Sequence, residues 1–459
     1  MRITSISFKR FPPFLSGTIC FPPQAVHGLA DVQLITGQNG TGKTRILSAL
    51  AAACGNSTEL DLRSNPSESS DVVVRIILGN SIGIFVRSIG QTFFLNHEKD
   101  FDAFVSEWSL HPAERSATSM EMSTKMTRTT LHAGKFRKAD CQFVESLLEW
   151  RSSSSSFSAQ AYRGSGRIGE CPDSLAAMKT LRFGEPKEHL VFDRERKDDD
   201  VVCQALVNLK VGAAMELQSG IDDFGSRSTS LVHRFETAVS GITGRPFSFI
   251  VKPHPQLRLV VTWGSELMEF SGLPDGLRSI IGWLVACVAK LELFFPDDPS
   301  PLDIPLILIV DEPETHLHPA WQRQIIPAAQ RLFPNAQIFV ATHSPFVISS
   351  VNSGWIHVLR ADKKGVVTAD DPKPCSKGDS WIDAVEDVLG VTEWFDPETE
   401  AMLAEFRSLK REVLADSGEM EKLKEKAEAI ASRSESLRSI MAREMHQLRR
   451  NMSEAVAEP

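Results

Sequence analysis

Polar and apolar residues alternate through residues 1–21, with Ile3, Ile6 and Phe8 in one run, Ile19 and Phe21 in the next, and Pro12, Pro13 and Gly17 between them. Alternation with period two on either side of a turn predicts a β-hairpin. Residues 31–36 read as a further strand. Residues 45–53, with Ile46, Leu47 and Leu50 at helical spacing, read as a helix. A polar stretch at 56–70, rich in Ser and Asn, predicts a loop, and β-branched residues at 72–78 and 82–87 predict two strands. From 100 to 150 apolar and aromatic residues such as Phe143, Leu147 and Trp150 recur at helical spacing, and a serine run at 151–156 closes that block as a loop. A second helical block covers 199–217, with Val202, Leu206 and Leu209 on one face, and continues through 231–239. Strands return at 247–251 and 257–262. Residues 306–310 are apolar without interruption, which predicts a strand covered on both faces, as in a parallel sheet. A similar strand is expected at 336–341.

Beyond residue 396 the pattern changes to a stripe with heptad-like spacing: Phe406, Leu409, Val413, Met420, Leu423, Ala427, Ile430, Leu437, Met441 and Leu448. Asp416, Ser434, Glu444 and Asn451 interrupt it, and Ser417-Gly418 marks a point where it would divide into two helices. Such a stripe serves either a helix packed on its own domain or an intermolecular coiled coil or partner-docking helix. The pattern leaves both open. Residues 453–459 are expected to fray. The whole chain divides into 1–98, the first part of an α/β domain; 99–245, a mainly helical insertion; 246–395, the second part of the α/β domain; and 396–459, a helical arm.

A composition of 42% hydrophobic and 24% charged residues is that of a globular protein with a sizeable core. The apolar run at 280–295 contains Lys290 and Glu292 and is short for a membrane span, so a buried helix is expected and no membrane segment. Seven cysteines are scattered without a Cys-x-x-Cys pair or a secretory leader, which predicts reduced thiols and a cytoplasmic location. A formal charge of −9 argues against coating nucleic acid through bulk charge but leaves room for a local basic strip, so DNA remains a possible partner.

Chemistry enters between the strand at 31–36 and the helix from 45. Gly37-Gln38-Asn39-Gly40-Thr41-Gly42-Lys43-Thr44 satisfies every fixed position of the phosphate-loop pattern G-x-x-x-x-G-K-[ST]. Gly37, Gly40 and Gly42 let the backbone turn tightly, with Asn39 between them, and aim successive N–H groups at phosphate oxygens. Lys43 would reach the β- and γ-phosphates of ATP, and Thr44 would place its hydroxyl on Mg²⁺. The following helix would point its positive end at the same charge.

The apolar strand at 306–310 runs into Asp311-Glu312-Pro313-Glu314. Carboxylates at the carboxyl end of such a strand sit where open α/β sheets bind ligands. Asp311 would serve the Mg²⁺ through water, and Glu312 would orient and deprotonate the water that attacks the γ-phosphate. His316 and His318, beside these acids, are read either as metal ligands or as the edge of a loop opening a helix from Ala320. The strand at 336–341 leads to Thr342-His343-Ser344, where His343 would donate a hydrogen bond to the γ-phosphate or serve as a buried structural histidine.

With these pieces in hand, the chain resembles the RecF/SMC/Rad50-like branch of ABC-type ATPases. The matching parts are the N-terminal hairpin, residues 37–44, Asp311-Glu312-Pro313-Glu314 with Leu317-His318-Pro319, and Thr342-His343-Ser344. The resemblance implies an α/β fold, a P-loop ABC-type ATPase head with a helical insertion and a C-terminal helical, coiled-coil-like arm. It also implies a dimer or higher homo-oligomer closed over ATP by a signature loop. That loop matches residues 270–279, where Ser271 and Gly276 would touch the partner's nucleotide, and Pro274 stands where the family carries a serine. Gln160 resembles the family's Mg²⁺-sensing position, and Arg163 beside it reads either as a phosphate contact or as a surface charge. The segment Leu273-Pro274-Asp275-Gly276-Leu277-Arg278-Ser279 resembles stand-alone ATPases of anti-phage systems of the Septu type and their retron-associated relatives. Those imply a separately encoded nuclease effector as partner. A RecF-like repair or chromosome-maintenance ATPase that clamps DNA itself is the alternative, and a slow ATP-binding timer is a third.

Overall fold

A computed structural model of the chain describes residues 2–24, 26, 28–54, 71–78, 81–88, 91–95, 158–164, 175–176, 199–219, 227–295, 297–375, 380–391, 393–415 and 419–455. They form two compact units, 1–389 and 390–459. The expected helix at 100–150 lies outside the described residues, as does most of the segment from 165 to 198.

The first unit is built on a mainly parallel sheet. Its strands are β3 (Asp31–Gly37), β7 (Ser158–Arg163), β11 (Leu306–Asp311), β12 (Ala336–Ala341), β13 (Trp355–Ala361) and β14 (Val367–Ala369), with β15 (Lys373–Pro374) pairing β13. They lie in the order β14-β13-β3-β12-β11-β7, and every pair from β13 to β7 is parallel. All residues of β3, β11 and β12 are buried, which is why these strands read as unbroken apolar runs: both faces are covered.

The alternation along β11 separates the two cores. Ile307 and Ile309 face one side together with Ile46, Leu47 and Leu50 of α1 (Lys43–Ala53) and with Ile3, Phe8 and Phe14. Those last residues belong to an antiparallel sheet ordered β2-β1-β4-β5-β6, made of β1 (Arg2–Phe11), β2 (Phe14–Cys20), β4 (Asp71–Leu78), β5 (Ser81–Ser88) and β6 (Gln91–Leu95). The Gln337 side chain joins this sheet to β12 by accepting from the Ile3 N–H and donating to the Ile3 carbonyl, both at 2.8 Å.

Leu306, Leu308 and Val310 face the opposite side, against α2 (Asp199–Gln218), α3 (Arg227–Thr243), the helical run from α4 (Asp275–Ile280) through a π turn (Ile281–Val285) to α5 (Ala286–Phe294), and α6 (Pro319–Leu332). The apolar run at 280–295 is therefore a buried core helix, with Trp283 fully enclosed. A three-stranded antiparallel sheet of β8 (Phe247–Lys252), β9 (Arg258–Trp263) and β10 (Glu266–Met268) packs Phe247 and Phe249 into the same core. No described helix is long and apolar enough to cross a membrane.

The stretch read as a mainly helical insertion therefore also supplies a strand, β7, to the central sheet. Its pattern is disguised by Gln160 and Arg163, polar residues in a strand whose Ala161 and Tyr162 are buried.

The second unit contains three helices, α7 (Pro397–Leu414), α8 (Met420–Ala431) and α9 (Glu435–Ala455). Asp396 caps α7 by accepting from the Thr399 N–H at 3.0 Å. Leu403, Phe406, Val413, Leu423, Ala427, Ile430, Leu437, Met441 and Leu448 are buried against one another. Most of the apolar stripe read from the sequence is therefore covered inside this unit, and the breaks after residues 414 and 431 fold it back on itself.

Candidate functional site

The strand ends of β3, β11 and β12 carry the residues singled out from the sequence, and parallel pairing brings those ends together. Val310 pairs with Val340 and Asp311 with Ala341, so Glu312 and Thr342 follow side by side, and the Glu312 N–H donates to the Ala341 carbonyl at 2.8 Å. On the other side Ala341 pairs with Ile35, two residues before the phosphate loop. Lys43, Thr44, Glu312 and His343, with Asn39, Gly40 and Gly42, line one cavity of about 560 Å³. Gly37 ends β3 below it.

Lys43 is nearly enclosed, and its Nζ donates to the carbonyls of Gly37 and Gln38 at 3.1 and 3.0 Å. Burial lowers its pKa from 10.5 to about 8, even though Glu312, Asp311 and Glu314 favour its charge. The Thr44 hydroxyl donates to Asp311 Oδ1 at 3.3 Å. These two oxygens fit a hard cation such as Mg²⁺, which takes one or two protein ligands and completes its shell with phosphate and water. Among the described residues no cluster of three or more His, Cys, Asp and Glu forms a metal cage of its own.

Glu312 has φ of 52°, in the left-handed region that a non-glycine residue seldom adopts. That turn ends the strand and leaves Glu312 exposed at the cavity while Asp311 and Pro313 stay buried. Glu314 turns the other way. Its Oε1 accepts from the Thr342 hydroxyl at 2.7 Å and from the His343 N–H at 3.0 Å, so it ties the acidic turn to the histidine loop. Burial raises its pKa, and Oε2 has no hydrogen-bond partner among the described residues. His343 has its pKa lowered, first by burial and then by Lys43, with Glu312 opposing. An imidazole held neutral in this way carries a single ring N–H to donate.

His318 Nδ1 accepts from the Ala320 N–H at 3.2 Å and caps α6. Of the two readings for these histidines, the structure supports the helix-opening loop.

Gln160, Ser271 and Gly276 are carried by other elements. Gln160 pairs with Leu308, three positions before Asp311, so it sits inside the sheet; it is fully buried, and its Oε1 accepts from the Tyr162 hydroxyl. The register places Arg163, not Gln160, beside Asp311. Gly276 is buried, and a Cβ there would lie 2.8 Å from the His316 carbonyl oxygen and 3.3 Å from the Trp321 ring. Gly276 is thus packed closely against the loop that precedes α6 and against α6 itself. Ser271 lies in the 3-10 turn Phe270–Gly272, and Gly276 in the first turn of α4.

Pro12, Pro13 and Arg45 were not expected in the cavity wall, yet they line it. The β1–β2 turn packs on the phosphate loop so closely that a Cβ on Gly42 would lie 2.8 Å from Pro13 Cδ and 2.9 Å from Phe14 Cε2. Arg45 sits 4.6 Å from the Phe11 ring centroid. The hairpin was legible in the sequence, but its docking was not, because the contact joins two sheets.

The phosphate loop after β3 and Glu312 after β11 face one cavity at the carboxyl ends of parallel strands, the arrangement of a P-loop nucleotide site. Several known proteins are similar to parts of the chain. Residues 5–197 match a family model described as an AAA domain, and residues 182–349 match one described as an AAA domain, putative AbiEii toxin, Type IV TA system. Among curated proteins the chain is similar to the retron Ec83 probable ATPase of Escherichia coli, with 31% identity over 149 residues, 32% of this chain and 27% of the relative. It is similar to the retron Vc95 probable ATPase of Vibrio cholerae, with 33% identity over 23% of this chain and 20% of the relative. It is also similar to the Septu protein PtuA of Bacillus thuringiensis, with 24% identity over 38% of this chain and 45% of the relative. Each match thus spans less than half of the relative. Among solved structures, an SMC head bound to the C-terminal winged-helix domain of ScpA aligns over 82% of this chain and 98% of its own, with a TM-score of 0.42 and 11% identity.

Proposed function

We propose that this chain binds ATP with Mg²⁺ and hydrolyses it, as the ATPase subunit of an anti-phage defence assembly. The observation that carries the reading is the convergence of Lys43, Thr44, Glu312 and His343 on one cavity. The phosphate-loop N–H groups and Lys43 hold the phosphates, and the approach of phosphate charge restores the proton that burial loosens on Lys43. Thr44 and Asp311 would hold the Mg²⁺, which would neutralise charge developing on the phosphate oxygens. Glu312 accepts the proton of the attacking water, and His343 donates its ring N–H to the γ-phosphate oxygens. Glu314 keeps that histidine loop in register with Glu312.

The retron and Septu names of the relatives support the defence role. In that role the ATP state governs association of two heads, and their association gates a separately encoded nuclease effector.

The test is a pair of variants. Lys43→Ala is expected to weaken ATP binding by about 100-fold or more, the scale of a lost buried charge-assisted contact. Glu312→Gln is expected to keep binding, to lower turnover by about 100-fold or more, and to accumulate an ATP-dependent dimer in native mass spectrometry. Turnover by Glu312→Gln at the parent rate would refute the assignment of the base.

A further inference from the structure

Among the described residues only Glu312 and His316 are non-glycine residues with a left-handed backbone, at φ of 52° and 66°. They bracket one short turn, and the first of them carries the carboxylate assigned as the base. Such conformations are costly for a residue with a Cβ and persist where the surrounding structure over-determines them. Inside the turn, the Glu312 carbonyl accepts from the Thr315 N–H at 3.1 Å and from the Thr315 hydroxyl at 2.9 Å, and the Glu314 carbonyl accepts from the Leu317 N–H at 2.9 Å. Outside it, the support comes from α4. Gly276 and Ser279 are three positions apart in that helix and share one face of it. Gly276 meets the second bend, since a Cβ there would lie 2.8 Å from the His316 carbonyl oxygen. Ser279 meets the first bend through one intermediary. Its fully buried hydroxyl donates to the Gly164 carbonyl, and the Gly164 N–H donates to the Asp311 carbonyl at 2.8 Å. A Cβ on Gly164 would collide with the Glu312 carbonyl oxygen, so Gly164 lies directly against the peptide that joins Glu312 to Pro313.

One face of α4 therefore rests on both bends of the acidic turn. An alanine at 279 would fill nearly the same space; what the hydroxyl adds is a directed bond that fixes Gly164 relative to the helix. Building on the nucleotide reading above, we propose that Ser279 is a positioning residue for Glu312: acting through Gly164, it holds the bend that aims the carboxylate into the cavity. The placement of α4 thereby sets how well the base meets the attacking water. Lys43 and Thr44 are carried by the phosphate loop and α1, so nucleotide binding does not depend on this bond.

The experiment measures ATP turnover by the full chain in excess Mg²⁺ for the parent, Ser279→Ala, Glu312→Gln and the double variant, with circular dichroism to establish folding. Ser279→Ala is expected to lower kcat about tenfold or more, the scale on which a small misplacement of a reacting group acts, with KM for ATP within about twofold. In Glu312→Gln the carboxylate is already gone. Adding Ser279→Ala there is expected to change the residual rate by less than about twofold, because residues that act through one group are not additive. Ser279→Cys, with a weak S–H donor in place of the hydroxyl, is expected to fall between the parent and Ser279→Ala. Parent-like turnover by Ser279→Ala overturns the proposal and leaves the nucleotide reading intact. An equal fold-loss in the two backgrounds also overturns it, since that marks Ser279 as a packing residue. If Ser279→Ala does not fold, Ser279→Cys is compared in the same two backgrounds under the same criteria. A folded parent chain without ATP turnover removes the nucleotide reading and this proposal with it.

Discussion

The two compact units use their apolar residues for different ends. In the unit spanning 1–389, buried strands deliver polar residues to their carboxyl ends, and register decides which side chain meets the acids: Arg163 reaches Asp311 while Gln160 is buried three pairs away. In the unit spanning 390–459, the apolar stripe fills a core shared by three helices, and polar residues serve the ends of those helices. Asp396 caps α7, and Arg433, just past α8, pairs with Glu398 and Asp396 at the start of α7. Position along a strand is chemistry in the first unit, whereas position around a helix is packing in the second.

The sharpest way to break this contrast is at Gly164. Gly164→Ala sets a methyl group against the Glu312 carbonyl, and backbone on both sides leaves little room to yield. The expected loss is about 3 kcal/mol or more of stability in chemical denaturation, with Asp311 and Arg163 displaced. A neutral result would mean that the end of β7 moves freely, and that register does not govern the site.

Leu423→Ala is the counterpart in the helical unit. Leu423 is fully buried, so about 3 kcal/mol is expected to be lost there. Nucleotide affinity is expected to stay within about twofold, because the transition belongs to a separate core. Loss of binding together with loss of helicity would show that the cores are not independent.

A smaller effect sharpens the electrostatic side. The Lys43 pKa is lowered to about 8, so nucleotide affinity is expected to be flat below pH 8 and to fall above it, by at most about tenfold per pH unit. Titration calorimetry in buffers of different ionisation enthalpy should record proton uptake on binding near pH 8. Stability has the opposite sign. Between about 8 and the ordinary value of 10.5 the unfolded chain holds more protons at this residue than the folded one, so its contribution to stability rises with pH across that window.

What the sequence conveys follows from how local each signal is. The phosphate loop, the acids after β11 and His343 are legible because each follows a run of apolar residues, and the strand end fixes its direction. At β7 the residue types were legible and the register that sets Arg163 beside Asp311 was not. The strand β13 escaped notice because His357 interrupts it. That histidine is wholly buried, its Nε2 sits 2.9 Å from Gln33 Oε1, and burial lowers its pKa to about 4, so it behaves as a neutral core residue. The stripe of the last unit was legible as a stripe, but the turns that close it into a bundle were needed to say what covers it.

The place of β3 in the sheet has a consequence for biosynthesis. Its neighbours are β12 and β13, so Asp31 finds its partner only at Gln337, some 300 residues later. At ribosomal rates of roughly 5–20 residues per second, the phosphate loop is made about 15–60 s before the strands that hold it. Throughout that interval the nascent chain carries a complete nucleotide motif with no sheet to mount it on. A truncated product that ends before β12 therefore lacks both strands that flank the phosphate loop's own strand.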